Sequence, residues 1–223
     1  MDINPIFVDE SGAVAVDARV VIDHAPPGAS GHGNYQHLAI LPYPSAYQRE
    51  WPMKGGGLYT IRPIQPDDAD MLQAFVRGLS QESRYFRFAS AMPELPARML
   101  ARYTLIDYDR EMALVAVQTR REAAADGAFT EQERIIGVSR YITNPDQTSC
   151  EFSLVVADDF KGQGLGSRLL LSIMDFARAR GLAEIDGLIL ANNPDMLRLM
   201  RSLGFAIQTF AEDPDFKLAS KAL

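Results

Sequence analysis

The stretch that most constrains this chain is VVADDFKGQGLGSRLLLSIMDFARARG, from Val155 to Gly181. Gly162, Gly164 and Gly166 separate an apolar run from a segment in which Leu165, Leu169, Leu170, Ile173, Phe176 and Ala177 recur at helical spacing. Gly181 then stops that helix. A strand, a glycine turn and a helix start make a setting in which main-chain N–H groups collect an anion. The first helical turn has donors without intrahelical acceptors, and the helix dipole is positive there. Glycine lets the backbone take positive φ and approach a phosphate closely. Spacing removes two phosphate loops from consideration. A Walker A loop needs Gly-Lys followed by Ser or Thr, which is absent. A dinucleotide fingerprint needs G-x-G-x-x-G after the first strand, whereas this G-x-G-x-G follows several strands that read as antiparallel.

Around that loop the pattern is α/β (α+β), with the division near residue 57. LYTIRPI, ALVAVQT, RIIGVSRYIT, SCEFSLVV, EIDGLILA, FAIQTF and KLASKAL read as strands. QPDDADMLQAFVRGLS reads as a helix with Pro66 and aspartates at its positive end, and QESRYFRFASAM, ARMLARYT and PDMLRLMRSLG as further helices. These elements predict a mixed central sheet of about six or seven strands flanked by helices over residues 58–223. Residues 1–57 hold two short strands, Ile6 to Val8 and Ala13 to Ile22, and then a Pro/Gly-rich linker in which Tyr43, Tyr47 and Trp51 can dock on a neighbouring surface. Two strands alone make no stable core.

Composition sets limits on the partners. The 223 residues are 47% hydrophobic and carry a net charge of −7, which argues against nucleic acid or an anionic membrane as the main partner. One cysteine excludes an internal disulfide framework and fits a reducing compartment. MDINPIFVDE has neither a basic start nor a long apolar run, so a soluble cytoplasmic protein is expected. His24, His32 and His37 lack the spacing of a metal site, and no metal is expected.

Glu151 stands in the middle of an apolar strand, where a charge costs energy unless it is paired or used. By alternation it shares a face with Ser153, opposite Cys150, Phe152 and Leu154. A carboxylate there can take a proton from an amine; otherwise it is an edge glutamate in solvent or an ion pair. Cys150 reads as a small buried hydrophobe, with no histidine near it in sequence to activate it. Arg84, Tyr85, Arg87 and Phe88 form a basic and aromatic helix, read first as packing and surface ion pairs and second as the border of an acceptor groove. LIDYDREMAL, Leu105 to Leu114, reads as a solvated turn.

Lys161-Gly162-Gln163-Gly164-Leu165-Gly166, in this order of elements, resembles the pyrophosphate loop of the GNAT superfamily of N-acetyltransferases, with lysine in place of the usual Gln or Arg at its head. The resemblance covers about residues 58–223 and implies the GNAT fold, acetyl-CoA as donor and a pyrophosphate held by residues 162 to 167, Ser167 included. It places the general base at Glu151. It also implies a backbone donor to the thioester carbonyl within Leu154 to Ala157, with Val156 preferred and Val155 beside it. Asn193 matches the family's second cofactor segment, although an Asn before Pro194 is equally a helix N-cap. The tyrosine that often protonates the leaving thiolate is replaced by Met200, and with a thiol pKa of about 8.5 solvent can complete the step.

SQESRYFRF, IDYDREMALVAV and the arrangement of Glu151 with the loop resemble the C-terminal catalytic domain of Pat-type bacterial protein lysine acetyltransferases. INPIFVDESGAVAVDARVVI and YQHLAILPYP resemble the end of the ATP-grasp region of NDP-forming acyl-CoA synthetases, with Asp2 and Asn4 at its magnesium-binding places. Without the upstream nucleotide-binding strands no ATP chemistry is expected; the chain reads as the catalytic end of such a protein. The resemblance implies a lysine of a partner protein, such as an acyl-CoA synthetase, as acceptor. A non-catalytic CoA-binding regulatory module and a small-amine acetyltransferase stand as the alternatives.

Overall fold

The structure is a computed structural model and describes residues 2–3, 6–10, 12–16, 18–19, 43–54, 56–90, 92–123 and 129–223. His24, His32, His37 and Asn4 lie outside them. The chain forms two compact units, Met1–His37 and Leu38–Leu223. In the first, β1 (Asp2–Ile3) pairs antiparallel with β4 (Ala18–Arg19), and β2 (Ile6–Asp9) with β3 (Gly12–Ala15). The Asp9 carboxylate closes the β2–β3 turn by accepting from the Gly12 amide at 3.1 Å.

The second unit is built on an eight-stranded sheet. Its elements in chain order are β5 (Arg49–Pro52), β6 (Leu58–Pro63), α1 (Ala69–Gly78), α2 (Gln81–Phe88), α3 (Ala97–Thr104), β7 (Glu111–Ala123) and β8 (Phe129–Thr143). Then come β9 (Ser149–Val156), α4 (Leu165–Ala179), β10 (Glu184–Leu190), α5 (Pro194–Ser202), β11 (Ala206–Thr209) and β12 (Phe216–Ala222). The strand order is β11-β12-β10-β9-β8-β7-β6-β5, and β9 with β10 is the parallel pair among antiparallel neighbours.

The sheet is wider than the six or seven strands expected because Arg49–Pro52 pairs with β6, Trp51 opposite Tyr59. The boundary near 57 thus falls inside the second unit, and part of the presumed linker is an edge strand. Proline is tolerated at such an edge, and aromatic contacts hold the segment. Tyr43 donates to the Pro63 carbonyl at 2.9 Å, the Tyr47 ring lies 4.1 Å from Phe176, and the Arg168 guanidinium stacks 3.7 Å from the Trp51 ring.

Helix starts follow the local chemistry. Pro66 opens a turn in which the Asp68 carboxylate accepts from the Gln65 amide at 2.7 Å and pairs with Arg62 at 2.7 Å, and α1 follows. Ser80 caps α2, accepting from the Ser83 amide at 3.1 Å.

Two apolar layers sandwich the sheet. One face carries Cys150, Phe152 and Leu154 against Leu165, Leu169, Leu170 and Ile173 of α4 and Met200 of α5. The other carries Ala113, Val115 and Val117 against Leu72, Phe75 and Val76 of α1. No helix among the described residues is long and apolar enough to cross a membrane.

Candidate active site

The parallel pair β9 and β10 opens almost as soon as it forms. Ser149, Cys150 and Glu151 register with Glu184, Ile185 and Asp186, and beyond them the two strands no longer pair. β9 stays on β8 through Gly137 opposite Val156, and β10 stays on β12 along its whole length. The result is a wedge between the strands, with Glu151 and Asp186 side by side at its closed end.

The β8–β9 ladder is regular, and the Ala157 amide donates to the Ile136 carbonyl at 2.9 Å. Because donors alternate sides along a strand, the amides of Val155, Ser153 and Glu151 point to β8. Those of Leu154 and Val156 point the other way, into the wedge. No register shift interrupts the β8–β9 ladder; the bulge lies one ladder over, between β7 and β8 at Ala116/Val117.

Glu151 alternates outward as expected, while Cys150 is fully buried and Phe152 and Leu154 are buried behind it. Its carboxyl is pushed above the usual carboxylate range, first by the protein around it and then by Asp186, while Arg87 pulls it back down. Asp186 is raised too, mainly by burial and despite the Asn144 amide 3.4 Å away. Burial drives the Cys150 thiol up to about 12, with Asp186 adding to it, so no thiolate nucleophile is available there. Beside Glu151 lies a shallow depression of about 360 Å³ lined by Asp146, Glu184 and Asp186 together with Ser149 and Gln208.

At the other end of β9 the chain makes a single turn, Asp158–Phe160, and enters the glycine loop. Gly162 and Gly164 take φ of 72° and 86°, the left-handed region that a side chain disfavours. The first main-chain donor into α4 is the Arg168 amide, to the Gly164 carbonyl at 3.1 Å, so the amides of Leu165, Gly166 and Ser167 lie in the open first turn. A Cβ on Gly166 would touch Leu199, Leu154 and Val156 at 3.4, 3.6 and 3.7 Å, which places this turn against both α5 and the end of β9. Leu165 itself points into the core.

The two polar side chains of the loop are tied to the protein. The Lys161 ammonium pairs with Asp158 at 2.7 Å and donates to the Ser83 hydroxyl at 2.6 Å; Gln163 donates to the Asp159 carbonyl at 2.8 Å. What the loop offers an anion is therefore its backbone amides. Asn193 caps α5, its side-chain oxygen accepting from the Met196 amide at 3.1 Å, and so holds the turn after β10. Met200 is fully buried.

Three features escaped the sequence reading. Asp186 falls beside Glu151 only through the strand register. Arg87 bears on the Glu151 carboxyl as a positive charge because α2 packs on β9. Glu111, expected in a solvated turn, is 2% exposed and is bridged by Arg102 and, at 3.5 Å, by Arg140. Its signal was present in the alternation of β7: Glu111 shares a face with the buried Ala113, Val115 and Val117.

Comparison with known proteins agrees with this geometry. The model of the acetyltransferase (GNAT) family matches residues 87–205, more than half of the chain. An acetyltransferase of Pseudomonas aeruginosa is 33% identical over 155 residues, 70% of this chain and 77% of that protein. The acetyltransferase Pat of Mycolicibacterium smegmatis is 28% identical over 170 residues, 76% of this chain; the chain spans 46% of Pat's length. The GNAT domain of S. lividans PAT superposes with a TM-score of 0.70 at 25% identity, over 82% of this chain and 100% of that domain. The chain belongs to the GNAT family of acetyltransferases.

Proposed function

We propose that this protein transfers the acetyl group of acetyl-CoA to a lysine side chain of a partner protein of the acyl-CoA synthetase type, in the cytoplasm, with Glu151 as general base. The observation that carries this reading is the placement of the Glu151 carboxylate, beside Asp186, at the closed end of a strand wedge whose other end meets the open amides of a glycine loop. The amides of residues 162 to 167 are the holders of the pyrophosphate, and Val156 is the donor to the thioester carbonyl. Asn193 shapes the neighbouring turn. Lysine as acceptor is supported by the similarity to Pat and to the S. lividans PAT domain, and by the acidic depression beside Glu151, which favours approach of a cation.

The chemistry is a direct transfer. A lysine amine of pKa about 10.4 is only about 0.04% neutral at pH 7, so it must lose a proton to attack. Glu151 accepts that proton, the nitrogen lone pair forms the C–N bond, and the carbonyl oxygen gains charge opposite the Val156 amide. The nitrogen, now carrying a positive charge, sheds its second proton to solvent, the C–S bond breaks and CoA leaves as thiolate, to be protonated by solvent. Since Glu151 works only when ionised and its carboxyl is raised, turnover falls as pH drops through a midpoint above the ordinary carboxylate range.

Labelled acetyl-CoA added to host lysate tests the acceptor. Label on lysine side chains of proteins is expected; label confined to small amines overturns that part. The loop has its own test. Gly164→Ala forces a side chain into φ of 86°, which costs about 1 kcal/mol and weakens CoA binding about fivefold by calorimetry.

A further inference from the structure

The sheet face that carries Glu151 is acidic on one side of it and basic on the other. Glu151 stands beside Asp186 of β10, with the acidic depression beyond, and opposite Ile142 of β8. One pair further along the same face, Arg140 stands opposite Ser153, and after it Val138 opposite Val155. A cavity of about 20 Å³ opens there, between this face and α1, α2 and α3. Its walls are apolar, Phe88, Val138 and Val155 among them, except for Tyr103 and two guanidiniums, Arg87 and Arg140. That room takes about one water-sized group, so it fits the polar head of a side chain.

The guanidiniums have donors to spare. Arg140 is 5% exposed; it donates to the Tyr103 carbonyl at 3.1 Å and faces Glu111 at 3.5 Å, while its Nε is buried without a hydrogen-bond partner. Arg87 lies 5.2 Å from the Phe88 ring and has no ion-pair partner among the described residues. The Tyr103 ring holds both, at 5.9 Å from Arg87 and 4.5 Å from Arg140. Glu111 is shared with Arg102, so three guanidiniums gather around one carboxylate in a chain of net charge −7. Burial pushes the Arg140 guanidinium down to about 10, and Arg87 and Arg102 push the same way against Glu111 and Tyr103. Buried cationic donors without partners cost free energy, and an arriving anion offsets that cost. A carboxylate suits the planar guanidinium fork best.

We propose that this cavity is an anion subsite for the acceptor, in which Arg87 and Arg140 receive the carboxylate of an acidic side chain flanking the acceptor lysine. The lysine then turns to Glu151 and the acidic side. The acceptor is the source because the cavity opens on the face of Glu151, whereas the Val156 amide that meets the thioester points into the wedge between strands. The subsite rests on the reading of a protein lysine as acceptor.

The probes are lysine peptides with glutamate or glutamine at each flanking position. In wild type, glutamate in at least one position should raise kcat/KM about tenfold over glutamine, through KM. Arg87→Met should erase that advantage and Arg87→Lys keep about threefold, both with CoA affinity within about twofold of wild type as evidence of a folded domain. Equal rates for glutamate and glutamine at every position in wild type, or an advantage that survives Arg87→Met, overturn the subsite. So does a preference for succinyl-CoA over butyryl-CoA that vanishes in Arg87→Met without any glutamate effect, which gives the cavity to the acyl donor. If no peptide is acetylated whatever its flanks, the protein-lysine reading is what fails. The cavity is then decided by ¹⁵N NMR of the arginine Nε–H signals, assigned by their loss in Arg87→Met and Arg140→Lys, with glutarate as ligand. Shifts of the two signals together support an anion site, and unmoved signals overturn it.

Discussion

Glu151→Gln is expected to lower kcat by about 10²–10⁴-fold while leaving the CoA Kd within about twofold of wild type. Glutamine keeps the size of the side chain but cannot accept the amine's proton. The loop amides proposed to bind CoA lie at the far end of β9 from residue 151, so affinity should be untouched. The residual rate comes from proximity and from the backbone donor, neither of which the substitution removes. The pH dependence should change as well. Without a resident base the variant relies on amine deprotonated by solution, so its rate should climb about tenfold per pH unit towards the amine pKa of about 10.4. Steady-state kinetics with saturating acceptor, together with calorimetry for CoA, separate these effects. A protein that only senses CoA would show no turnover in wild type either.

Glu111→Ala is expected to cost about 3–5 kcal/mol of stability. The Glu111 and Arg140 side chains are 2% and 6% exposed, and the Arg140 Nε already lacks a partner. Removing the carboxylate leaves a buried guanidinium with the Tyr103 carbonyl at 3.1 Å and the Tyr103 ring at 4.5 Å as its remaining support. Such a loss is a large share of the 5–15 kcal/mol typical of a domain, and Tm should fall by about 10 °C. Arg102→Met provides the contrast. The Arg102 side chain is 55% exposed, and its removal should cost at most about 1 kcal/mol. Thermal unfolding of the two variants side by side reads the difference.

The parts of the fold that were legible in sequence are those with a local cause. SCEFSLVV alternates and became β9 with its expected faces; two of the three loop glycines, Gly162 and Gly164, took positive φ; Asn193 before Pro194 became the cap of α5. What escaped depended on partners far along the chain. Arg49–Pro52 looked like linker because proline and glycine surround it; Tyr47 and Trp51 docked on α4 as expected, but the pairing of this segment with β6 as an edge strand was not foreseen. Glu111 was hidden among Asp107, Asp109 and Arg110, whose side chains are 49%, 63% and 82% exposed, while it alone turned inward. The Glu151–Asp186 pair needed the register of a parallel ladder, which no local pattern states.

The central claim is direct transfer from acetyl-CoA to an amine whose proton goes to Glu151. Its most direct measurement is a single-turnover experiment in which enzyme loaded with labelled acetyl-CoA is mixed with lysine acceptor and quenched over time, for wild type and Glu151→Gln. The expected result is label passing straight to the amine in wild type, with no acetylated enzyme at any time, and slowed by about 10²–10⁴-fold in the variant at pH 7. Equal rates in the two proteins, or label appearing first on the enzyme, would contradict it.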